Sequence, residues 1–195
     1  DALTDLPNRF YFNRQLHHYV TSNNQALQHF ALIRVNIDRF RSFNESLSNL
    51  SGDELLRQVS ERLRQSCSDA LLIAYLNNDD FAIIYNLNFN PIPTQERTRI
   101  ILDALRQPFQ IQGKEQIISI SIGVALYPEH GRQIDSLNIH AELALAKAKR
   151  LGGNTIQIYA NQNAQLLNLG INLESDLRKA IKEKQFEVFY QPKIC

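Results

Sequence analysis

The stretch Ala70-Leu-Leu-Ile-Ala-Tyr-Leu-Asn-Asn-Asp-Asp-Phe-Ala-Ile-Ile-Tyr-Asn-Leu87 decides the fold of this chain. Two apolar runs, Ala70 to Leu76 and Phe81 to Leu87, are joined by Asn77-Asn78-Asp79-Asp80, and Asn and Asp accept the positive φ angles that a tight turn needs. The pattern predicts a β-hairpin with a polar tip.

Upstream of it, Phe30 to Asp38 is apolar and β-branched and reads as a strand buried on at least one face, ending in Asn36 and Asp38. Before that strand, Phe12, Leu16, Tyr19 and Val20 recur at helical spacing from Asn8 to about Gln25, with Pro7 where a helix start tolerates it. A short helix is expected through Phe40, Phe43 and Leu47. The next runs to about Ser66, with Ser51 as N-cap and Glu54 completing a capping box. Downstream, Gln95 to Gln107 predicts a helix closed by Pro108, and Gln112-Gly113 a turn between two strands, the second spanning Gln116 to Leu126. Asp135 to Leu151 reads as an Ala-rich helix ended by Gly152-Gly153, and Thr155 to Tyr159 as a short strand. Hairpins mixed with helices give the α+β class. Beyond, Leu166, Leu169, Leu173, Leu177 and Ile181 form a stripe expected on a long connector helix, and Phe186 to Tyr190 begins a new strand.

Composition narrows the function classes. The chain has 195 residues, 44% hydrophobic, with 21 basic and 20 acidic residues giving a net charge of +1. No basic stripe marks a nucleic-acid or anionic-membrane surface, so neither partner is expected. Cys67 and Cys195 make neither a disulfide framework nor a zinc site, and His17-His18 on a polar helix face reads as solvated. The apolar run Ile117 to Tyr127 falls short of the about 20 residues that cross a bilayer. A cytoplasmic piece of a larger protein is expected, which a part outside this chain would anchor if the parent is membrane-bound.

The motifs, taken in order, resemble those of the GGDEF domain of cyclic-di-GMP signalling proteins. Asp1-Ala-Leu-Thr-Asp-Leu-Pro-Asn-Arg9 is similar to the opening D-x-L-T-G-L-P-N-R signature. Asn36-Ile-Asp-Arg-Phe-Arg41, Asn44 and Gly52-Asp53 resemble the D-x-D-x-F-K, N-D and G-D elements, and Asn77-Asn-Asp-Asp-Phe81 occupies the GGDEF position. Ser119-Ile-Ser-Ile-Gly123 and Ala146-Lys-Ala-Lys-Arg-Leu-Gly-Gly-Asn154 resemble the S-x-G strand and the A-K-x-x-G-R-N helix end. Five ordered matches outweigh any one alone. The resemblance implies a palm-type, nucleotidyl-cyclase-like domain over 1–160, its mostly antiparallel sheet flanked by helices. Leu173 to Ala180 and Phe186 to Pro192 resemble the entry to an EAL phosphodiesterase domain, implying a connector helix over 161–184 and a first EAL strand over 185–195.

Family chemistry joins two GTP molecules across a dimer, with magnesium held by hard anionic oxygens. The resemblance places Asn36 and Asp79 at the metal positions, but an amide at 36 removes a full charge, so magnesium binding is expected to be weak. Asp79 and Asp80 stand at the catalytic positions, with Asp38 a further carboxylate nearby. Asn77 and Asn78 replace glycines that give the nucleotide backbone clearance. Asn44 and Asp53 match guanine-binding positions, an amide and a carboxylate suiting the mixed donor and acceptor edge of the base. Structural readings stand beside these: Asn44 as a loop cap, Asp53 in a helix's first turn. Arg41 and Lys149 match phosphate contacts, Lys149 reading equally as a helix-end cation, and Gly153 replaces an arginine. Ser68-Asp-Ala-Leu71 lacks the arginine of the product-inhibition motif, and Tyr75 replaces another. The leading expectation is a non-catalytic regulatory domain that binds GTP and acts on a downstream EAL domain. Two others stand behind it: residual diguanylate cyclase activity, and a ligand-free dimerisation module.

Overall fold

The computed structural model describes residues 1–22, 28–88 and 92–160. They belong to one compact unit, Asp1–Ala160. The connector helix and EAL strand expected over 161–195 lie outside the described residues.

At the centre is β1 (Phe30–Ile37), buried along its whole length. Its alternating side chains feed two separate cores. Ala31, Ile33, Val35 and Ile37 pack with Leu55, Val59 and Leu63 of α3 (Asn49–Ser66) and Ile101 and Leu105 of α4 (Thr94–Arg106). Phe30 and Leu32 pack on the other face with Phe12 and Leu16 of α1 (Arg9–Thr21) and Leu137 and Ala141 of α5 (Ile134–Arg150). A strand sandwiched between helix layers must be apolar on both sides, as this one is up to Arg34 and Asn36.

The decisive hairpin forms as β2 (Leu72–Asn77) and β3 (Asp80–Asn86), with Asn78 at φ 47° in its tip. Counting β6 (Ile120–Tyr127) and β7 (Ile156–Ile158), the sheet order is β2-β3-β1-β6-β7, antiparallel except for the β6–β7 pair. This is the α+β architecture expected from the sequence, a mostly antiparallel sheet flanked by helices. Between β1 and α3, α2 (Phe40–Ser46) carries Phe40 and Asn44.

Three local expectations are corrected. The strand expected over Gln116 to Leu126 is two strands: β5 (Lys114–Gln116) pairs with β4 (Phe109–Ile111) in a separate hairpin, and β6 begins at Ile120. Gln112 and Gly113 both have positive φ, 51° and 72°, the two-residue turn that joins strands tightly. The α3 cap is Ser48, whose hydroxyl accepts from the Ser51 N–H at 3.2 Å; Ser51 is the buried third residue of the helix. Glu54 instead accepts from the Gln112 N–H at 3.1 Å, fastening the small hairpin to α3. Helix α1 stops at Thr21, where extended Ser22 ends it, rather than near Gln25.

Candidate functional site

The carboxyl end of β1, the hairpin tip and the end of α5 meet at one end of the sheet. Asn36 lies opposite Asp80 in the β1–β3 ladder, and the Ile37 N–H donates to the Asp79 carbonyl at 3.2 Å, so the register fixes the signature residues beside the end of β1. Tyr75 closes the tip by donating its hydroxyl to the Asn78 carbonyl at 3.0 Å. Burial, then the charges of Asp79 and Asp53, push the Tyr75 phenol up.

Two clefts open here. One, of about 490 Å³, is lined by Phe40, Arg41, Asn44, Asn49, Asn78 and Asp79, among others. Asn44 lies flat against α3 at Gly52, where a Cβ would fall 2.0 Å from its Oδ1. That oxygen is buried with no hydrogen-bond partner, so Asn44 is not capping a loop. Asp53 lies past the first turn of α3, which holds no acidic residue, so the helix-dipole reading does not account for it either. Asp53 is not among the residues that line the Asn44 cleft.

The second cleft, of about 360 Å³, brings Asn36, Asp38, Arg41, Asp79, Lys149 and Gly153 together. Asn36 is only 5% exposed and its Oδ1 is buried and unpartnered. Lys149 sits exposed in the last turn of α5, and Arg41 is exposed and pairs with Glu45 at 2.9 Å. Asp38 is a structural tie: Oδ1 accepts from Ser121 Oγ at 2.6 Å and Oδ2 from the Asn154 N–H at 2.9 Å, joining β1, β6 and the turn after α5. Gly153 has φ 75°, and a Cβ there would meet Asp38 Oδ2 at 2.6 Å. An arginine at 153 would be strained on both counts.

Asp80 faces elsewhere. It lines a third cleft, of about 640 Å³ between α1 and α5, with Arg34, Asn77 and Glu142, and its carboxylate accepts a hydrogen bond and ion pair from Arg34. Burial pushes the Asp80 carboxyl above the usual range, while Arg34 pulls the other way. The two catalytic-position carboxylates are therefore divided between clefts.

These side chains do not fit a magnesium centre. Asp38 has both oxygens engaged, Asp80 is ion-paired and Asn36 is neutral, which leaves Asp79 as the remaining carboxylate. Among the described residues no group of three or more His, Cys, Asp or Glu is placed to hold a metal ion.

Sequence reading missed Arg34 and Glu142. The signal was available for Arg34: a charge in a buried strand, at the same parity as Asn36. At the Ser68 to Leu71 segment the structure adds Arg97 of α4, paired with Asp69 at 2.7 Å and lying over the Tyr85 ring, but Arg97 is itself buried at 4% exposure. Among the described residues no helix is long and apolar enough to cross a membrane.

Residues 1–155 match the family model described as diguanylate cyclase, GGDEF domain. The chain is 32% identical over 197 residues to the Pseudomonas aeruginosa cyclic di-GMP phosphodiesterase NbdA, covering 98% of this chain and 24% of that protein. It is 30% identical over 196 residues to the Escherichia coli cyclic di-GMP phosphodiesterase PdeR, covering 100% of this chain and 29% of that one. The chain thus spans about a quarter of the length of the curated relatives it matches. Among solved structures, the GGDEF domain of TpbB (YfiN) from Pseudomonas aeruginosa superposes with TM-score 0.79 at 27% identity, over 86% of this chain and 98% of that one. An EAL/GGDEF domain protein from M. capsulatus gives TM-score 0.67 at 32% identity, over 79% and 99% respectively.

Proposed function

The chain belongs to the diguanylate cyclase GGDEF domain family of bacterial cyclic-di-GMP signalling proteins, and from that premise we propose that this domain is a degenerate, regulatory member that binds GTP without converting it. One observation carries the loss of catalysis: across the β1–β3 ladder, an amide, Asn36, faces a carboxylate, Asp80, that is committed to Arg34. A cyclase must neutralise charge developing on a phosphate, and hard anionic oxygens that hold magnesium are the means. Here Asp79 is the remaining carboxylate, and magnesium contributes little to binding.

Nucleotide binding is supported by the Asn44 cleft. A buried acceptor without a partner costs about 1–3 kcal/mol, which a ligand N–H recovers. A guanine amide edge supplies such donors, while Arg41 and Lys149 meet phosphate charge and Asn78 borders the approach; Asp53 does not line this cleft and Asn77 lines the third one. This predicts that GTP binding, followed by calorimetry, weakens about tenfold or more in Asn44→Ala. Unchanged affinity in that variant would remove the cleft from the account, and no binding by the parent chain would favour a ligand-free dimerisation module.

The relatives named as cyclic di-GMP phosphodiesterases support a regulatory role toward a downstream EAL domain, whose entry the 173–192 segment resembles. In that reading 161–184 connects the two domains and 185–195 is the first strand of the second.

A further inference from the structure

Arg34 is 7% exposed in the middle of β1, a costly place for a charge. Its guanidinium donates to the Asp80 carboxylate and, at 2.9 Å, to Glu142 Oε1 of α5. Asp80 is paired directly with Asn36, so their side chains leave the same face of the sheet, and Arg34, two residues back along β1, leaves that face too. The guanidinium therefore binds Asp80 on the α5 side of the ladder, while Asn36 borders the cleft that holds Asp79 and Lys149.

Three hard oxygen donors stand at this end of the hairpin: Asn36, Asp79 and Asp80. Asn36 Oδ1 and Asp80 Oδ1 are both buried without a hydrogen-bond partner. Two carboxylates and an amide oxygen are ligands of the kind divalent cations take. A guanidinium is present instead, permanently charged and unable to leave.

We infer that Arg34 is a specificity-determining residue, a resident counter-cation that satisfies Asp80 and keeps divalent metal ions off the hairpin. Its two anchors explain why it can hold that place: Glu142 fixes one arm of the guanidinium and Asp80 takes the other. Asp80, the carboxylate that would have to join Asp79 around a divalent ion, is held by this cation on the α5 side and cannot swing toward such an ion without stranding a buried charge. The inference deepens the proposed loss of catalysis, yet its test uses metal alone and is independent of nucleotide binding.

The test is manganese binding by the full chain, read from the electron paramagnetic resonance signal of free Mn²⁺, with circular dichroism as the check on folding. At roughly millimolar manganese the parent chain is expected to leave that signal unchanged, whereas Arg34→Met gains a site at least about tenfold tighter. Arg34→Gln keeps donors for the carboxylates without the charge and serves where Arg34→Met costs the fold. Adding Asp80→Asn to either variant is expected to abolish the gained site. Manganese binding by the parent chain as tight as that of the Arg34 variants would overturn the inference. So would a folded Arg34 variant that gains no site.

Discussion

Gly52 has no side chain where Asn44 lies against α3, and that contact gives a test separating binding from folding. Gly52→Ala puts a Cβ 2.0 Å from Asn44 Oδ1, so the amide must move out of its place in the cleft. Alanine in a helix interior is favoured over glycine by about 0.5–1 kcal/mol, so stability should hold or rise. GTP affinity by calorimetry is expected to fall about tenfold while the melting temperature does not. Asp38 should behave in the opposite way. Asp38→Ala removes the acceptor for Ser121 Oγ and the Asn154 N–H, and urea unfolding is expected to show a loss of about 2–4 kcal/mol. That positions 36, 41, 79 and 149 come together was legible in the sequence because motifs fix spacing. The tie of Asp80 to Arg34 was not, since Arg34 is remote in sequence and lies two residues along β1 from the ladder partner of Asp80.

At the level of elements, the contact between β6 and α5 sets the sheet's helix layer. A Cβ on Gly123 would lie 2.2 Å from the Leu145 backbone nitrogen and 2.4 Å from the Ala141 carbonyl oxygen. Because backbone rather than a side-chain tip must yield, Gly123→Ala is expected to cost about 3 kcal/mol or more, measured by denaturant unfolding. The turn after β6 carries a pH dependence. His130 Nδ1 accepts from the Leu126 N–H at 3.0 Å, so the ring is held neutral in the fold. Burial lowers its pKa, with Glu129 opposing and His140 adding to the shift. A folded pKa below the unfolded one means that the unfolded chain binds more protons. Stability from this site is therefore full above the unfolded value, about 6.5, and is lost as pH falls toward the folded one. Unfolding midpoints in that range should drop with acidification, and less so in His130→Gln. Periodicity located these elements well, because a buried strand and an amphipathic helix must repeat. Caps and breaks were harder: Ser48 and Ser51 both suit an N-cap, and only the packing of Ser51 into the core decides between them. Likewise Ile117 to Ser119 continues an apolar pattern although the chain changes sheets there.

For the whole domain, the sheet order and the two cores on either face of β1 place the hairpin tip, the end of β1 and the end of α5 at one end of the sheet. The family match over residues 1–155 covers all of these elements except the last strand. The proposed loss of catalysis rests on charge: an amide at Asn36, a cation spent on Asp80, and a glycine at 153 where an arginine would be strained. The central proposal is that this domain binds GTP while its catalytic-position carboxylate Asp80 is neutralised from within. The measurement that tests it most directly is chromatographic analysis of the chain incubated with GTP and magnesium or manganese, on samples whose GTP binding has been established by calorimetry. GTP is expected to bind with similar affinity in chelator and in magnesium and to be recovered intact. Formation of cyclic-di-GMP over repeated turnovers would contradict it.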